Sequence, residues 1–281
     1  MTDLSHWAHI HKPRTGLRAG PLPRLPFVAW RGFPALIGLI VPAALLAAWF
    51  GVTWARWVPE QILPAPAAVL EALDGLVRSG DLKSNLWISL GRVAYGFGAG
   101  TLAGVALGAG MGFSAWLDRF VRPSFLVISQ IPILAWLPFF MLLLGIGEAL
   151  KIVLVAKAVF TPVTLGTCAG IRDVPVGYLE LARVLRLSRV RTLYRIVFPA
   201  ALPQLFSGFR YGLTHAWLAL VAVELLASYE GVGYLLVYSR QLFQLDVMVA
   251  VMLVIAVTGF ALDRLLSLVD SRLSRRFGGA P

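Results

Sequence analysis

Runs of about twenty residues carrying no charge, or at most two, recur along this chain, and roughly that length of helix crosses the hydrocarbon core of a bilayer. The runs are Phe33 to Ala55, Val93 to Phe113, Ser124 to Ile146, Ala149 to Ala169, Leu205 to Ala227 and Val247 to Val269. They predict an all-α, polytopic membrane protein of about six transmembrane helices. Composition agrees: 58% of residues are hydrophobic and 14% charged, against about 25% charged in soluble domains. Lipid is therefore the solvent for most of the surface.

The formal net charge is +11, and a basic balance of that size attracts phosphate at long range. Its distribution excludes a nucleic-acid binder, because the arginines sit in short intervals between apolar runs, where orientation-setting charges belong. One set of intervals holds most of them, including Arg14, Arg24, Arg119, Arg122, Arg183, Arg186, Arg191, Arg195, Arg272 and Arg275. The other set holds only Arg56, Arg78, Lys83, Arg92, Lys151 and Arg240. The positive-inside rule then puts both termini and the Gly170 to Gln204 interval in the cytoplasm, with Glu60, Glu71, Asp74 and Asp81 outside. Residues 1–32 read as a cytoplasmic tail too long for the start of a cleaved signal peptide, 33–275 as the membrane domain, and 276–281 as a short second tail. Cys168 stands alone and can form no intrachain disulfide. His6, His9 and His11 lie close together, but no carboxylate or thiol pattern completes a metal site, and a disordered tail is expected.

Gly96, Gly100, Gly104, Gly108 and Gly112 repeat every four residues, which brings them onto nearly one face of the second apolar run. Such small-residue stripes let helix backbones pack closely in lipid. A nucleotide-binding reading of Gly96-x-Gly98 fails for want of a preceding strand.

The interval from Asp173 to Ser188 reads as a short helix outside the membrane. Asp173 is placed to cap it and Pro175 to occupy its first turn. Tyr178, Leu181, Ala182 and Leu185 form one apolar stripe, while Glu180 and Arg183 face elsewhere. A second helix can begin with Ser188 as its cap and run toward Pro199. An amphipathic helix lying on anionic lipid would fit the arginines as well.

The pattern of residues here resembles the inner-membrane permeases of binding-protein-dependent ABC importers. Their cytoplasmic signature is Glu-Ala-Ala, three residues, Gly, nine residues, then Ile-x-Leu-Pro. This sequence matches it as Glu180-Leu181-Ala182, Arg186, and Ile196-Val197-Phe198-Pro199, with Leu181, Arg186 and Phe198 departing in identity but not in spacing. Replacement of the glycine by Arg186 implies either a turn with φ below zero or a merging of the two helices, since Gly tolerates angles that Arg does not. Other segments match in order: Ile62 to Pro66, Ser89 to Phe97, Ile131 to Pro138, Phe198 to Pro203, and Gly231-Val232-Gly233. Together they are similar to the nitrate, sulfonate and taurine branch, over most of residues 60 to 275.

The resemblance implies a type I ABC importer permease fold with a cytoplasmic coupling helix, within a coupling segment of residues 173–199. It implies that Glu180, Leu181, Ala182, Arg183, Val184 and Leu185, with Arg186, Ile196 and Pro199, dock on an ATPase subunit. The implied assembly is two permease copies forming a homodimer in bacterial inner-membrane lipid, two ABC ATPase subunits, and a periplasmic or lipid-anchored solute-binding protein. No Gly-Lys dipeptide occurs anywhere, so there is no Walker A loop. ATP and Mg are expected to be used by the partner, with no cofactor, metal or catalytic residue in this chain. The implied cargo is a small anion or organic solute such as a sulfonate, taurine or nitrate.

Lys157 and Glu224 fall inside apolar runs, and an intramembrane charge is a functional candidate by default. Two arrangements are open: the pair meets, or Lys157 faces the path of an anionic substrate. Thr161, Thr164 and Thr167, near Pro162, could line a polar cavity or bond their own helix. Pro132 and Pro138 predict a kinked third run, and His215 reads as a packed polar residue. A competing class is an ion-coupled secondary transporter, which would need inverted repeats and broken helices at midplane, and no internal repeat is evident. A membrane enzyme would need catalytic side chains gathered at one depth, and none are.

Overall fold

The computed structural model describes residues 34–277, and among them there are helices and turns but no strand. The chain divides into two compact units, one up to Val69 and one from Leu70 onward. The first contains α1 (Pro34–Trp54), whose Trp49 indole donates to the Pro64 carbonyl at 3.1 Å. Helix α2 (Pro66–Ser79) follows.

Three helices are long and apolar enough to cross a bilayer unbroken: α3 (Asp81–Phe113), α6 (Glu148–Arg172), and α11 (Leu245–Phe277) over Leu245–Val269. Two further regions qualify as bent pairs. The first joins α4 (Ala115–Ser129) to a 3-10 turn (Ile133–Trp136) and α5 (Leu137–Leu144), at 92°. The second joins the helix ending in α9 (Phe198–Ala227) to α10 (Val232–Gln241), at 41°. Between α6 and α9 come α7 (Val176–Val184), α8 (Arg189–Thr192) and a π-helical turn over Leu193–Val197. Helix α1 adds an apolar stretch over Ile40–Trp54.

The expected third span is thus broken rather than kinked. Pro132 has no N–H to donate and drives the residue before it out of helical geometry, so α4 ends at Ser129. The second span is longer than its apolar run: its helix starts at Asp81, so Arg92, expected in the preceding loop, lies well inside it.

Helix α6 is the centre of the second unit. Its Val155, Val159 and Val163, all fully buried, pack with Val93 of α3 and with Leu213, Ala216, Trp217 and Leu220 of α9. The glycine ladder explains how α3 approaches so closely. Every ladder glycine is buried, and a Cβ at Gly104 would sit 2.9 Å from the Val163 side chain. A second small-residue crossing joins α6 to α9, where a Cβ on Gly166 would come within 2.9 Å of the Gly208 Cα. Dispersion and backbone proximity hold such contacts, because lipid removes the hydrophobic drive between helices. Outward residues such as Leu102, Leu142, Leu218 and Phe260 are exposed, as lipid-facing positions are.

Candidate functional site

Helix α7 begins after Pro175, and its caps differ from the expected ones. Asp173 closes the end of α6, its N–H donating to the Ala169 carbonyl at 2.8 Å, so it is not the cap of α7. Of the apolar stripe, Ala182 is buried, while Tyr178, Leu181 and Leu185 are 50%, 51% and 58% exposed. Glu180 and Arg183 are exposed too. The second helix does open with Ser188, whose hydroxyl accepts from the Arg191 N–H at 3.4 Å. It does not stop at Pro199: Ile196 lies in the π-helical turn and Pro199 in the first turn of α9, where a missing N–H is harmless.

Arg186 resolves its alternatives against both expectations. Its φ is +49°, and the helices stay separate. The Leu187 N–H reaches back to the Ala182 carbonyl at 3.0 Å and the Arg186 N–H to that of Arg183 at 3.0 Å, the paired bonds of a Schellman cap. An arginine therefore occupies the left-handed position that glycine fills in the signature. Restoring the glycine, Arg186→Gly, should raise stability by about 1 kcal/mol, read as a later midpoint in denaturant titration of the detergent-solubilised protein. A fall instead would reveal a compensating contact of the Arg186 side chain.

Glu224, in α9, is 1% exposed and does not meet Lys157. Its carboxylate accepts from Arg92 at 2.7 Å, from the Ser89 hydroxyl at 2.8 and 3.0 Å, and from the Gly233 N–H at 3.0 Å. Arg92, 3% exposed, also forms a bidentate pair with Glu148 at 2.6 and 2.7 Å and donates to the Glu230 carbonyl at 2.8 Å. Lys151 adds a contact of 2.8 Å to Glu148. The turn between α9 and α10 wraps this cluster: Gly231 has φ +108°, and a Cβ on it would run into the Glu224 carboxylate. Asn85 accepts from the Gly231 N–H at 2.7 Å and Ser89 from that of Val232 at 3.0 Å. Four segments are thereby tied at the Glu148 end of the bundle. Sequence reasoning missed Ser89 and Arg92 as partners, although an intramembrane Glu demands donors and the Ser89 to Phe97 segment that supplies both was visible.

At the opposite end of α6, Asp118 accepts from Arg122 at 2.8 Å and from Arg172 at 2.8 Å, while Arg122 contacts Cys168 at 3.3 Å. Arg210 and Asp263 form a bidentate pair at 2.8 and 3.0 Å between α9 and α11.

Lys157 lies on α6 beside the broken span. Its ammonium donates to the Ile131 carbonyl at 3.0 Å and sits 5.2 Å from the centre of the Trp136 ring. The nearby threonines divide: Thr164 bonds the Phe160 carbonyl of its own helix at 2.7 Å, the buried Thr167 hydroxyl lacks a partner, and Thr161 is half-buried. His215 is exposed rather than packed, and its ring nitrogen meets the Tyr211 carbonyl at 2.8 Å. His6, His9 and His11 lie outside the described residues. Among the described residues no group of three His, Cys, Asp or Glu could hold a metal ion.

Residues 100–275 match the family described as binding-protein-dependent transport system inner membrane component. Among similar proteins, SsuC of Bacillus subtilis, named for aliphatic sulfonates transport, is 35% identical over 91% of this chain and 95% of its own length. The taurine transport system permease protein TauC of Escherichia coli is 33% identical over 83% of this chain and 86% of its own. The nitrate import permease protein NrtB of a Synechocystis strain is 33% identical over 74% and 79%. Among solved structures, the inward-facing MetNI methionine ABC transporter aligns with a TM-score of 0.61 at 16% identity, over 70% of this chain and 97% of the other. An amino acid ABC transporter aligns at 0.54 and 19% identity, over 71% and 97%. At those identities the likeness is one of fold.

Proposed function

This chain belongs to the inner-membrane permeases of binding-protein-dependent transport systems, and from that premise we propose that it carries a small oxyanion such as a sulfonate, taurine or nitrate inward, driven by a separate ATPase. Two copies of the chain pair with two ATPase subunits and receive the solute from an external binding protein. The positive-inside charge pattern supports a cytoplasmic position for both termini and for α7, which leaves the Arg92–Glu224 cluster at the outer end.

The observation that carries this reading is the exposed stripe of α7. Tyr178, Leu181 and Leu185 present apolar surface that the described chain leaves uncovered. Their helix is pinned at its far end by the Schellman cap at Arg186 and anchored inward by Ala182. A short rigid helix of this kind transmits displacement. When the ATPase dimer closes on ATP, it moves α7, and the motion passes through α8 and the π-helical turn into α9, biasing one packing of the spans over another. Glu180, Leu181, Arg183, Val184 and Leu185 make the contact, Ala182 seats the helix on its own chain, and Arg186, Ile196 and Pro199 hold its geometry. Nucleotide and Mg are handled by the partner.

The double substitution Glu180→Arg with Leu185→Arg should reduce recovery of the ATPase on affinity purification by about tenfold or more, since one anchor at a protein interface is worth about 2 kcal/mol. Both side chains are exposed, so the permease itself should still be extracted in normal yield. Undiminished recovery of the ATPase would remove α7 from the interface.

A further inference from the structure

Lys157 is a charge whose purpose the hydrogen bonds of the protein do not exhaust. Its helix α6 runs from Glu148 to Arg172, so at 1.5 Å per residue the lysine lies roughly 13 Å along a helix of roughly 37 Å, well within the hydrocarbon depth. The carboxylates that might neutralise it are engaged elsewhere. Glu224 is held by Arg92, Ser89 and Gly233, Glu148 by Arg92 and Lys151, and Asp118 by Arg122 and Arg172. Lys157 makes no ion pair among the described residues.

Its neighbours leave most of its own donors unused. An ammonium has three N–H groups, and the Ile131 carbonyl takes one of them. The other neighbour is Trp136, whose ring lies below the ammonium and whose indole N–H is buried without an acceptor. If Lys157 served only to cap the freed carbonyl of Ile131, a neutral donor would suffice and the charge would be superfluous.

The backbone beside it points the same way. Gln130, Ile131 and Pro132, the unwound residues of the 92° break, are all exposed on the chain, and the Lys157 contact fixes them at its own depth. Non-helical backbone at that depth is tolerated only where protein covers it or where it borders water, never facing lipid. An exposed break and a half-buried cation at one level make a positively charged patch in an otherwise apolar span.

We propose that Lys157, with the Trp136 indole beside it, forms the contact through which the protein recognises a single small oxyanion during its passage. This rests on the permease reading above and deepens it, because it locates anion selectivity in the membrane span as well as in the external binding protein. The ammonium supplies charge and two further N–H groups, the face of the Trp136 ring holds it in place, and the apolar surroundings strengthen its pull on an anion.

A test independent of the true solute uses the sole cysteine, Cys168, as its starting point. In a Cys168→Ser background of the complete transporter, Ile131→Cys is introduced and labelled in membranes with sulfonatoethyl methanethiosulfonate and with its trimethylammonioethyl counterpart. Gln130→Cys is a second reporter in case the first is poorly expressed. With Lys157 present, the anionic reagent should gain over the cationic one by about tenfold relative to Lys157→Gln, as expected for one poorly screened charge nearby. Lys157→Arg should keep the preference. An equal ratio with Lys157 and with Gln, or no reaction of either reporter, would overturn the proposal. Taurine uptake by the background protein, measured in parallel with ATPase and binding protein present, tests the permease reading separately. Lost uptake with the preference intact defeats the importer reading and leaves the anion contact standing. Normal uptake with no dependence on Lys157 does the reverse.

Discussion

An Arg92→Leu variant should lose about 3–5 kcal/mol of stability, the range measured when one member of a buried ion pair is removed. The expectation follows from where the charges sit. The Arg92 and Glu224 side chains are 3% and 0% exposed, so deleting the guanidinium leaves a carboxylate in the interior with only Ser89 and the Gly233 N–H to solvate it. Glu148, 57% exposed, can turn to water and suffers less. The Glu230 carbonyl loses its donor as well, which loosens the turn between α9 and α10. Glu224→Leu should be milder, because Arg92 keeps its bidentate partner Glu148. The double variant, Arg92→Leu with Glu224→Leu, should recover much of the loss, since apolar replacement of a whole buried pair is often neutral. Denaturant unfolding in detergent, with the monodisperse fraction after size exclusion, measures all three. Equal losses in the two single variants and in the double would mean that the cluster is not a coupled unit.

How much of this was legible beforehand varies by element. The apolar runs located every spanning region, because length and hydropathy are local properties of the chain. The ladder from Gly96 to Gly112 announced close packing of α3, because four-residue periodicity maps directly onto one helix face. Its partner α6 could not be named, since the periodicity carries no record of what lies opposite. Arg92 was misplaced because charge density marks the end of an apolar run, not the end of a helix, and α3 continues through polar residues to Asp81. Glu224 was rightly picked out as an intramembrane charge and wrongly offered Lys157, because its donors come from residues more than a hundred positions earlier and from a turn nine residues later.

The Arg186 turn went astray for a different reason. Sterics disfavour a left-handed arginine, but a Schellman cap returns two hydrogen bonds to helix-end carbonyls, and the same solution occurs at Arg56 and Phe243. In all three the backbone bonds, rather than the residue type, decide the conformation. In residues 173–199 the spacing was therefore a better guide to the turn than the residue identities.

Gly108→Ala should be strongly damaging for the addition of a single carbon, with a loss of about 2–3 kcal/mol. The added Cβ would lie 2.5 Å from the Thr164 carbonyl oxygen and 2.8 Å from the Thr167 Cβ. The first obstacle is backbone of the central helix, so no rotamer change relieves it, and α3 and α6 must separate. Separation opens space along the whole ladder, where Val155, Val159 and Val163 lose their contacts with the α3 backbone. Adding Gly100→Ala, whose Cβ would run into the Ala156 carbonyl, should cost less than it does alone, because the helices are already apart. Gly91→Ala and Gly98→Ala supply the contrast: a Cβ there meets nothing within 4 Å. Those two should be neutral or stabilising by up to about 1 kcal/mol, the helix preference of Ala over Gly. Unfolding midpoints in detergent for the four single variants and the double decide the matter. If Gly108→Ala behaves like Gly98→Ala, the close approach of α3 to α6 is not what holds the bundle together.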